Sequence, residues 1–386
     1  MQFFPERSAL NLSLPLFVGV VLGVCSLYAI TLDFSSEDKF EELALGQENT
    51  SSYATVDQAQ VHCADLTDVH QCINDYNKIN SAENVVLWLG NSQLHAINQK
   101  NPGDLTASAI LHREAKTESK YILTFSQPNA NLQEHYLLFE YISNKVPVTI
   151  LILPVVFDDM RETGIRPNLI EAFNNQKVSF HLKKTKIGRK LVSKNGNQDT
   201  AGNDLAALED TVQEKSEKYL NDEMNEIWSI WERRAELRGR FFTNLYFFRN
   251  WLFGINPSSI RKIISGRYRM NLDALRAVFQ SANDKGIKVL LYIPPLRNDV
   301  KVPYELDQYG KFKTEIQLLT QQNGAKFLNL ERLVPAELWG TKDSTTLGMG
   351  QELDFMHFQA GGHELLANTL YGELKALWGE ETNNGF

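Results

Sequence analysis

Short apolar runs alternate with segments of helical periodicity along most of this chain. The apolar runs have strand length and are almost continuously hydrophobic, which is typical of strands buried on both faces. They lie at 84–89, 121–125, 146–156, 288–293 and 326–330. Helical patterns lie between and after them, at 94–97, 110–115, 133–142, 272–282, 312–319 and 361–378. This alternation predicts an α/β fold in which helices cover both faces of a parallel sheet.

One long region, 178–268, interrupts the alternation. Its first part, 190–210, is rich in Asn, Gly and Asp and is predicted to be a loop. Its second part has helical periodicity and concentrates aromatic and arginine side chains. These are Trp228, Trp231, Arg233, Arg234, Arg238, Arg240, Phe241, Phe242, Tyr246, Phe247, Phe248, Arg249 and Trp251. Three interpretations stay open: a helical insertion packed on the sheet domain, a cap over an active site, or a surface that binds anionic head groups or a partner protein.

Residues 12–32 form an uncharged apolar stretch long enough to cross a bilayer as a helix. Arg7 precedes the stretch and acidic residues follow it, so the positive-inside rule puts the N-terminus in the cytoplasm. A cleaved signal peptide is the alternative. We expect a cytoplasmic tail at 1–11, a transmembrane anchor at 12–32, a polar stalk at 33–58 and a periplasmic or extracellular body at 59–386.

The overall composition is that of an ordinary globular protein. The chain has 386 residues, of which 43% are hydrophobic and 22% are charged. This length suits one large domain with insertions, or two domains. The formal net charge of −8 argues against a nucleic-acid partner, because phosphates repel an acidic protein. We expect no cofactor.

Cysteine use agrees with an exported body. Cys25 lies in the apolar stretch, which leaves Cys63 and Cys72 close together in the sequence. Two cysteines at this spacing can close a small loop in an oxidising compartment, so we predict a disulfide between them. The alternative is a metal site that also recruits His62 and His70, although zinc ligands usually have tighter spacing.

The most informative chemistry comes from two distant segments. Ser92 follows the first apolar run at a place where a helix should begin, and Asp354 and His357 stand just before the C-terminal helix. A serine hydroxyl becomes nucleophilic when an imidazole takes its proton and a carboxylate orients that imidazole. The order and positions of these groups favour a serine site that handles acyl groups. Alternatively, Ser92 and Asp354 cap helices, and His357 packs in the first helical turn.

The sequence Gly-Asn-Ser-Gln at 90–93 and the Asp-x-x-His pair at 354–357 resemble motifs of the SGNH (GDSL-type) hydrolase superfamily. The likeness is strongest to its membrane-anchored branch, typified by the D-alanyl-transfer protein of teichoic acids and by alginate O-acetylation proteins. It implies a three-layer α/β/α, flavodoxin-like fold with about five parallel strands and a Ser92–His357–Asp354 triad. The Ser92 N–H would donate to the oxyanion.

This resemblance further implies a membrane-anchored, extracytoplasmic serine esterase or O-acyltransferase. The implied substrates are acyl esters, chiefly acetyl esters, of a cell-surface glycan, and a membrane-bound acyltransferase is an implied partner. The alternative is a scaffold or glycan-binding component that keeps the fold without the chemistry.

Members of the superfamily usually add a glycine after the second strand and an asparagine after the third as oxyanion donors. This sequence has neither residue at those places, which favours the non-catalytic alternative. The candidate replacements after the second apolar run are Gln127, Asn129 and Asn131.

Loops after the third and fourth apolar runs carry candidate substrate contacts, because parallel α/β sheets place their ligand crevice there. These candidates are Arg161, Arg297 and Asn298. An ion pair within the loop 158–161 is the alternative for Arg161. His95, one turn after Ser92, is a second candidate base, whereas His363 is expected to be structural.

Overall fold

The structure, a computed structural model, describes residues 48–79, 84–195, 259–343 and 351–383. Its strands are β1 Asn49–Ser51, β2 Thr55–Val56, β3 Ala59–Gln60, β4 His62–Cys63, β5 Val85–Gly90, β6 Ala96–Asn98, β7 Tyr121–Ser126, β8 Val148–Pro154, β9 Lys288–Ile293, β10 Lys326–Asn329, β11 Trp339–Asp343 and β12 Gln351–Phe358. Its α-helices are α1 Leu66–Ile79, α2 Ala107–Thr117, α3 Leu132–Ser143, α4 Gln176–Leu182, α5 Lys186–Asn195, α6 Ser265–Asp284, α7 Leu306–Gln322 and α8 Ala360–Asn383.

A six-stranded sheet with the order β10-β9-β8-β5-β7-β4 forms the centre of the described fold. All of its strand pairings are parallel. The five predicted strands are confirmed, and their ends shift by at most two residues. The sixth strand, β4, was not predicted, because two residues are too short to show a pattern.

Alternate residues of each strand belong to two different hydrophobic cores. Val85 and Leu87 of β5 pack in the core that includes α3, α6 and α7, whereas Val86 and Trp88 pack in the core that includes α2 and α8. Both faces of the sheet are therefore covered, and this explains why the strands read as continuous apolar runs. The arrangement is the predicted three-layer α/β/α fold.

The strand order places a crevice between the carboxyl ends of β5 and β8. The chain goes from β5 to β7 on one side, and then returns to β8, β9 and β10 on the other. Loops that leave β5 and β8 at their carboxyl ends therefore diverge, and open α/β sheets bind ligands at such a switch point. Ser92 follows β5 directly at this place.

Three small antiparallel pairs surround the main sheet: β1 with β6, β2 with β3, and β11 with β12. The first two pairs include residues of the predicted stalk. Residues 48–58 fall in the predicted stalk, yet they contain β1 and β2, and β1 pairs with β6 immediately after the serine turn. This short polar sequence joins the fold through the backbone pairing of β1 and β2 and through the buried side chains of Ala54 and Val56.

Two predicted local structures differ from the structure. The helix expected after Ser92 is a single 3-10 turn, Ser92–Leu94, and β6 follows it because the chain turns there to pair with β1. Residues 190–195 of the loop expected at 190–210 are helical instead, because α5 extends to Asn195 and buries Ile187 and Leu191. The rest of that predicted loop lies outside the described residues.

Several predictions fall outside the described residues. These are the cytoplasmic tail, the transmembrane anchor at 12–32, most of the stalk and the aromatic and arginine residues of 228–251. Within the described ranges, no helix has both the length and the apolar character that a bilayer span requires.

The predicted disulfide is confirmed, because Cys63 and Cys72 are bonded to each other. The bond ties β4 to α1 at the edge of the sheet. Both sulfur atoms are thereby unavailable as thiolate ligands, and the two histidines of the alternative metal site have other partners. His62 contacts Ser126, and His70 contacts Tyr141.

Candidate active site

A tight turn after β5 presents the Ser92 hydroxyl. Leu94 packs directly on Gly90, where a Cβ atom would lie 2.3 Å from Leu94 Cδ1, so a larger residue at position 90 would force the Leu94 side chain to move. The Asn91 side chain caps the 3-10 turn by accepting a hydrogen bond from the Gln93 N–H at 3.1 Å. Asn91, not Ser92, is therefore the cap, and the serine hydroxyl is left for other contacts.

A bulge in β12 carries the acid and the base. Trp339 pairs with Phe358, and Thr341 pairs with Leu353. Between these pairs β11 has only Gly340, whereas β12 has residues 354–357. Asp354 Oδ1 accepts hydrogen bonds from the N–H groups of Met356 at 2.9 Å and His357 at 3.0 Å, which closes the bulge. The carboxylate thus shapes the backbone that carries the imidazole.

Ser92, His357 and Asp354 form a continuous hydrogen-bonded relay. Ser92 Oγ lies 2.9 Å from His357 Nε2, and His357 Nδ1 lies 2.9 Å from Asp354 Oδ2. A carboxylate only accepts hydrogen bonds, so Nδ1 carries the proton and Nε2 accepts from the serine hydroxyl. The exposed fractions are 8% for Ser92, 7% for His357 and 0% for Asp354. The structure therefore brings together the three residues that the sequence singled out.

Asp354 is ionised within this relay. Burial opposes ionisation, but the electrostatic interaction and hydrogen bond with His357 outweigh burial, with help from Lys342 and the Met356 N–H. Together they hold the pKa of Asp354 below its usual range. An ionised Asp354 can orient the imidazole and stabilise its protonated form.

Two side chains hold the bulge against the rest of the fold. Gln93 Nε2 donates to the carbonyl oxygens of Pro295 at 2.9 Å and Met356 at 2.8 Å. Arg297 donates from its backbone N–H to Phe355 O at 3.3 Å and from Nη1 to Gly340 O at 2.8 Å. Arg297 also pairs with Asp299, so it supports the site rather than facing a substrate.

The side chains predicted as oxyanion donors have other partners or positions. Gln127 Nε2 donates to Ala64 O at 2.6 Å. Asn131 caps α3 through Gln133 and Glu134, and its Nδ2 donates to Gly164 O at 3.0 Å. Asn129 is exposed and has a positive φ of 51°. The Gln127 and Asn131 amides thus bind nearby backbone groups, and the sequence alone did not show that these groups would lie within reach.

The other predicted contacts also differ from expectation. Arg161 Nη1 lies 3.5 Å from Asp158 Oδ1, and its Nε donates to Lys262 O, which matches the ion-pair alternative. Asp158 also pairs with Arg261 and accepts from the Tyr304 hydroxyl at 3.0 Å. Asn298 is exposed. The charged side chains of the loop after β8 are therefore bonded within the loop and to the segments that carry Arg261 and Tyr304.

His95, the second candidate base, does not contact Ser92. Its Nδ1 lies 2.7 Å from Ser126 Oγ, and Tyr53 stacks on its ring. Burial, reinforced by nearby histidines, holds the pKa of His95 well below its usual range. His363 is structural as expected, because it accepts from the Ala107 N–H and contacts Ala96 O.

The sequence did not predict two hydrogen bonds at the site, each from an asparagine amide to an aspartate carboxyl group. Asn91 Nδ2 donates to Asp159 Oδ2 at 3.0 Å and joins the serine turn to the loop after β8. Burial raises the pKa of Asp159 well above its usual range. Asn49 Nδ2 donates to Asp354 Oδ2 at 2.8 Å. Both contacts link distant segments, and no local pattern in the sequence indicates them.

In the described ranges, no group of three or more His, Cys, Asp or Glu side chains is placed to bind an ion. No protein-family model matches this chain. No curated protein matches it either.

Among solved structures, the chain is similar to a protein from Parabacteroides merdae described as a GDSL-like lipase. The two share 10% sequence identity with a TM-score of 0.36, and the match covers 77% of this chain and 97% of the other.

Proposed function

We propose that this protein is a serine esterase or O-acyltransferase that forms an acyl-enzyme on Ser92. The observation that carries the proposal is the relay of two 2.9 Å contacts from Ser92 Oγ through His357 to Asp354. The relay stands at the carboxyl end of β5, beside the switch point of the sheet, where α/β folds bind ligands.

The first half of the reaction transfers the acyl group to the enzyme. His357 Nε2 takes the Ser92 proton as the serine oxygen attacks the ester carbonyl, while Asp354 stabilises the imidazolium. The tetrahedral intermediate then collapses, and His357 gives the proton to the departing alcohol. Ser92 is left as an ester of the acyl group.

The second half removes the acyl group from Ser92. His357 takes a proton from the acceptor hydroxyl, whose oxygen attacks the acyl carbon, and then returns that proton to Ser92 Oγ. Water as the acceptor makes the protein an esterase, and a sugar hydroxyl makes it a transferase.

The Ser92 N–H is the oxyanion donor in this proposal. It belongs to the first turn of the 3-10 helix, where N–H groups have no partner within the helix. A backbone donor placed at the developing charge stabilises the transition state without having to reorganise.

The proposed setting is the outer side of a membrane, with a glycan ester as substrate and a membrane-bound acyltransferase as partner. The uncharged stretch 12–32 supports an N-terminal anchor. The disulfide between Cys63 and Cys72 supports an oxidising compartment. The glycan and the partner rest on the resemblance of the Ser92 and Asp354–His357 motifs.

Turnover of a chromogenic acetyl ester by the full-length chain tests the proposal. Ser92→Ala should lower kcat by about 10³-fold or more, because the nucleophile is lost. Ser193→Ala, at an exposed position on α5, is the matched control and should leave the rate unchanged. Equal rates for Ser92→Ala and the wild type would remove Ser92 from the mechanism.

A second candidate function is a non-catalytic scaffold or glycan-binding component. The Gln127 and Asn131 amides donate to backbone carbonyl oxygens instead of facing Ser92. Within the described residues, the Ser92 N–H is then the oxyanion donor that we identify, and such a sparse oxyanion site favours the non-catalytic function. The two candidates differ at Ser92, since only the catalytic one predicts a covalent adduct with an electrophilic phosphonate.

A further inference from the structure

Asp354 Oδ2 receives hydrogen bonds from two side chains. His357 Nδ1 lies 2.9 Å away, and Asn49 Nδ2 lies 2.8 Å away. The other carboxylate oxygen accepts from two N–H groups of the bulge. Among the described residues, Asn49 donates a hydrogen bond to the acid from outside the bulge, across 305 residues of sequence.

A second asparagine fixes the orientation of the Asn49 amide. Asn98 Nδ2 donates to Asn49 Oδ1 at 3.0 Å and to Thr341 O at 2.9 Å. The amide oxygen of Asn49 thus faces a donor, and its NH₂ group must face Asp354. The register of β1 and β6 pairs Asn49 directly with Asn98, so the backbone supports the same arrangement.

Asn49 and Asn98 are both buried, which restricts the orientations of their side chains. Asn49 is 9% exposed and Asn98 is 0% exposed. Asn98 packs against Gly340, where a Cβ atom would lie 1.6 Å from Asn98 Oδ1. Any larger residue at position 340 would displace the Asn98 amide. The contacts among β1, β6 and β11 therefore hold the Asn98 amide in a single orientation.

We infer that Asn49 is a positioning residue of the proposed reaction. Its amide holds Asp354 Oδ2 toward His357 Nδ1 and prevents the carboxylate from rotating away when the imidazole becomes charged. Lys342 also acts on the Asp354 charge, but the amide adds direction, which a distant charge does not. This inference rests on the proposed function and extends the catalytic unit to β1, a strand that precedes the main sheet.

The first test separates positioning from substrate binding. Asn49→Ala should lower kcat for the acetyl ester by about tenfold, since a hydrogen bond to a charged group is lost, and should leave KM within about twofold. Thr50→Ala is the matched control, because Thr50 is exposed on the same strand. Its kcat should equal that of the wild type.

A double-mutant cycle with Asp354 distinguishes positioning from a structural role. If Asn49 acts through the carboxylate, Asn49→Ala should have no further effect on kcat in an Asp354→Asn background. A role in merely anchoring β1 predicts the same tenfold loss in both backgrounds. That second result would overturn the inference.

An isosteric variant keeps the inference testable if Asn49→Ala does not fold. Asn49→Asp preserves shape but puts a second negative charge beside Asp354 and His357, which favours the protonated imidazole. The acidic limb of kcat/KM against pH should move upward by about one unit. A profile that superimposes on that of the wild type would contradict the inference.

The outcomes for the wild type separate failure of this inference from failure of the proposed function. A wild-type chain with no Ser92-dependent turnover would refute the function itself. Ser92-dependent turnover together with an Asn49→Ala rate equal to that of Thr50→Ala would refute only the role of Asn49.

Discussion

Asn91, Ser92 and Gln93 perform three different tasks with adjacent side chains. Asn91 caps the turn and binds Asp159, while Gln93 donates to carbonyl oxygens of the loop after β9 and of the bulge in β12. Because its neighbours cap the turn and bond it to the adjacent loops and to the bulge in β12, Ser92 can direct its hydroxyl at His357. The hydroxyl that the sequence offers as a helix cap is thereby available for chemistry.

The two histidines near Ser92 should respond differently to substitution. His357→Ala should lower kcat for the acetyl ester by about 10³-fold or more, because the general base is lost. His95→Gln should keep kcat within about tenfold of the wild type, because His95 contacts Ser126 instead of Ser92. Steady-state kinetics on both variants measure this difference, and a larger loss for His95→Gln would reverse the assignment.

The residue scale also shows what a sequence can indicate about a site. Ser92, Asp354 and His357 were predictable because their chemistry and their places at the ends of elements are both visible in the sequence. Asn49 was not, since it lies in a polar stretch and meets Asp354 only through the fold. The prediction of Asn131 as an oxyanion donor was not borne out for a similar reason, because its role as a helix cap depends on where α3 begins.

At the scale of elements, the β11–β12 pair is the feature that builds the site. Its uneven register places residues 354–357 opposite Gly340 alone, and Asp354 closes the resulting bulge. The pattern of the sequence predicted the long strands and helices, because these bury many alternating apolar positions. It did not predict β1, β6 or the bulge, which depend on backbone pairing between distant segments.

Gly340 should be intolerant of any side chain. Gly340→Ala would place a methyl group on the Asn98 amide, which should cost about 1–3 kcal/mol of unfolding free energy and lower esterase activity. Gly310→Ala is the matched control, because Gly310 is exposed on α7 and has open space around its Cα. That control should be neutral or stabilising by up to about 1 kcal/mol.

Chemical denaturation of both glycine variants checks this expectation. Equal unfolding free energies for the two would show that Asn98 can move aside at little cost. The tight contacts among β1, β6 and β11 would then not fix the site.

At the scale of the whole molecule, two cores on opposite faces of one sheet hold the serine turn and the bulge in register. Buried histidines lie within this framework, and burial lowers the pKa of His62 and His135 to about 3 and of His363 to about 4. The pKa of His95 is likewise well below its usual range. These side chains stay neutral in the folded protein under mildly acidic conditions.

Stability should therefore fall as the pH falls below 6.5, where histidines of the unfolded chain become protonated. The unfolded state then binds more protons than the folded state, and each such histidine costs about 2 kcal/mol at pH 5. His135→Gln should reduce the difference in unfolding free energy between pH 7 and pH 5, whereas His70→Gln, at an exposed position, should not. Denaturation curves at both pH values measure this difference in unfolding free energy. A wild-type chain with equal unfolding free energies at pH 7 and pH 5 would contradict the expectation.

Covalent labelling of the full-length chain with a fluorophosphonate, followed by mass spectrometry of its peptides, tests the central claim most directly. An activated serine predicts one adduct on the peptide that contains Ser92, lost in both Ser92→Ala and His357→Ala while those variants remain folded. A folded wild-type protein without an adduct on Ser92, or undiminished labelling of His357→Ala, would contradict the account.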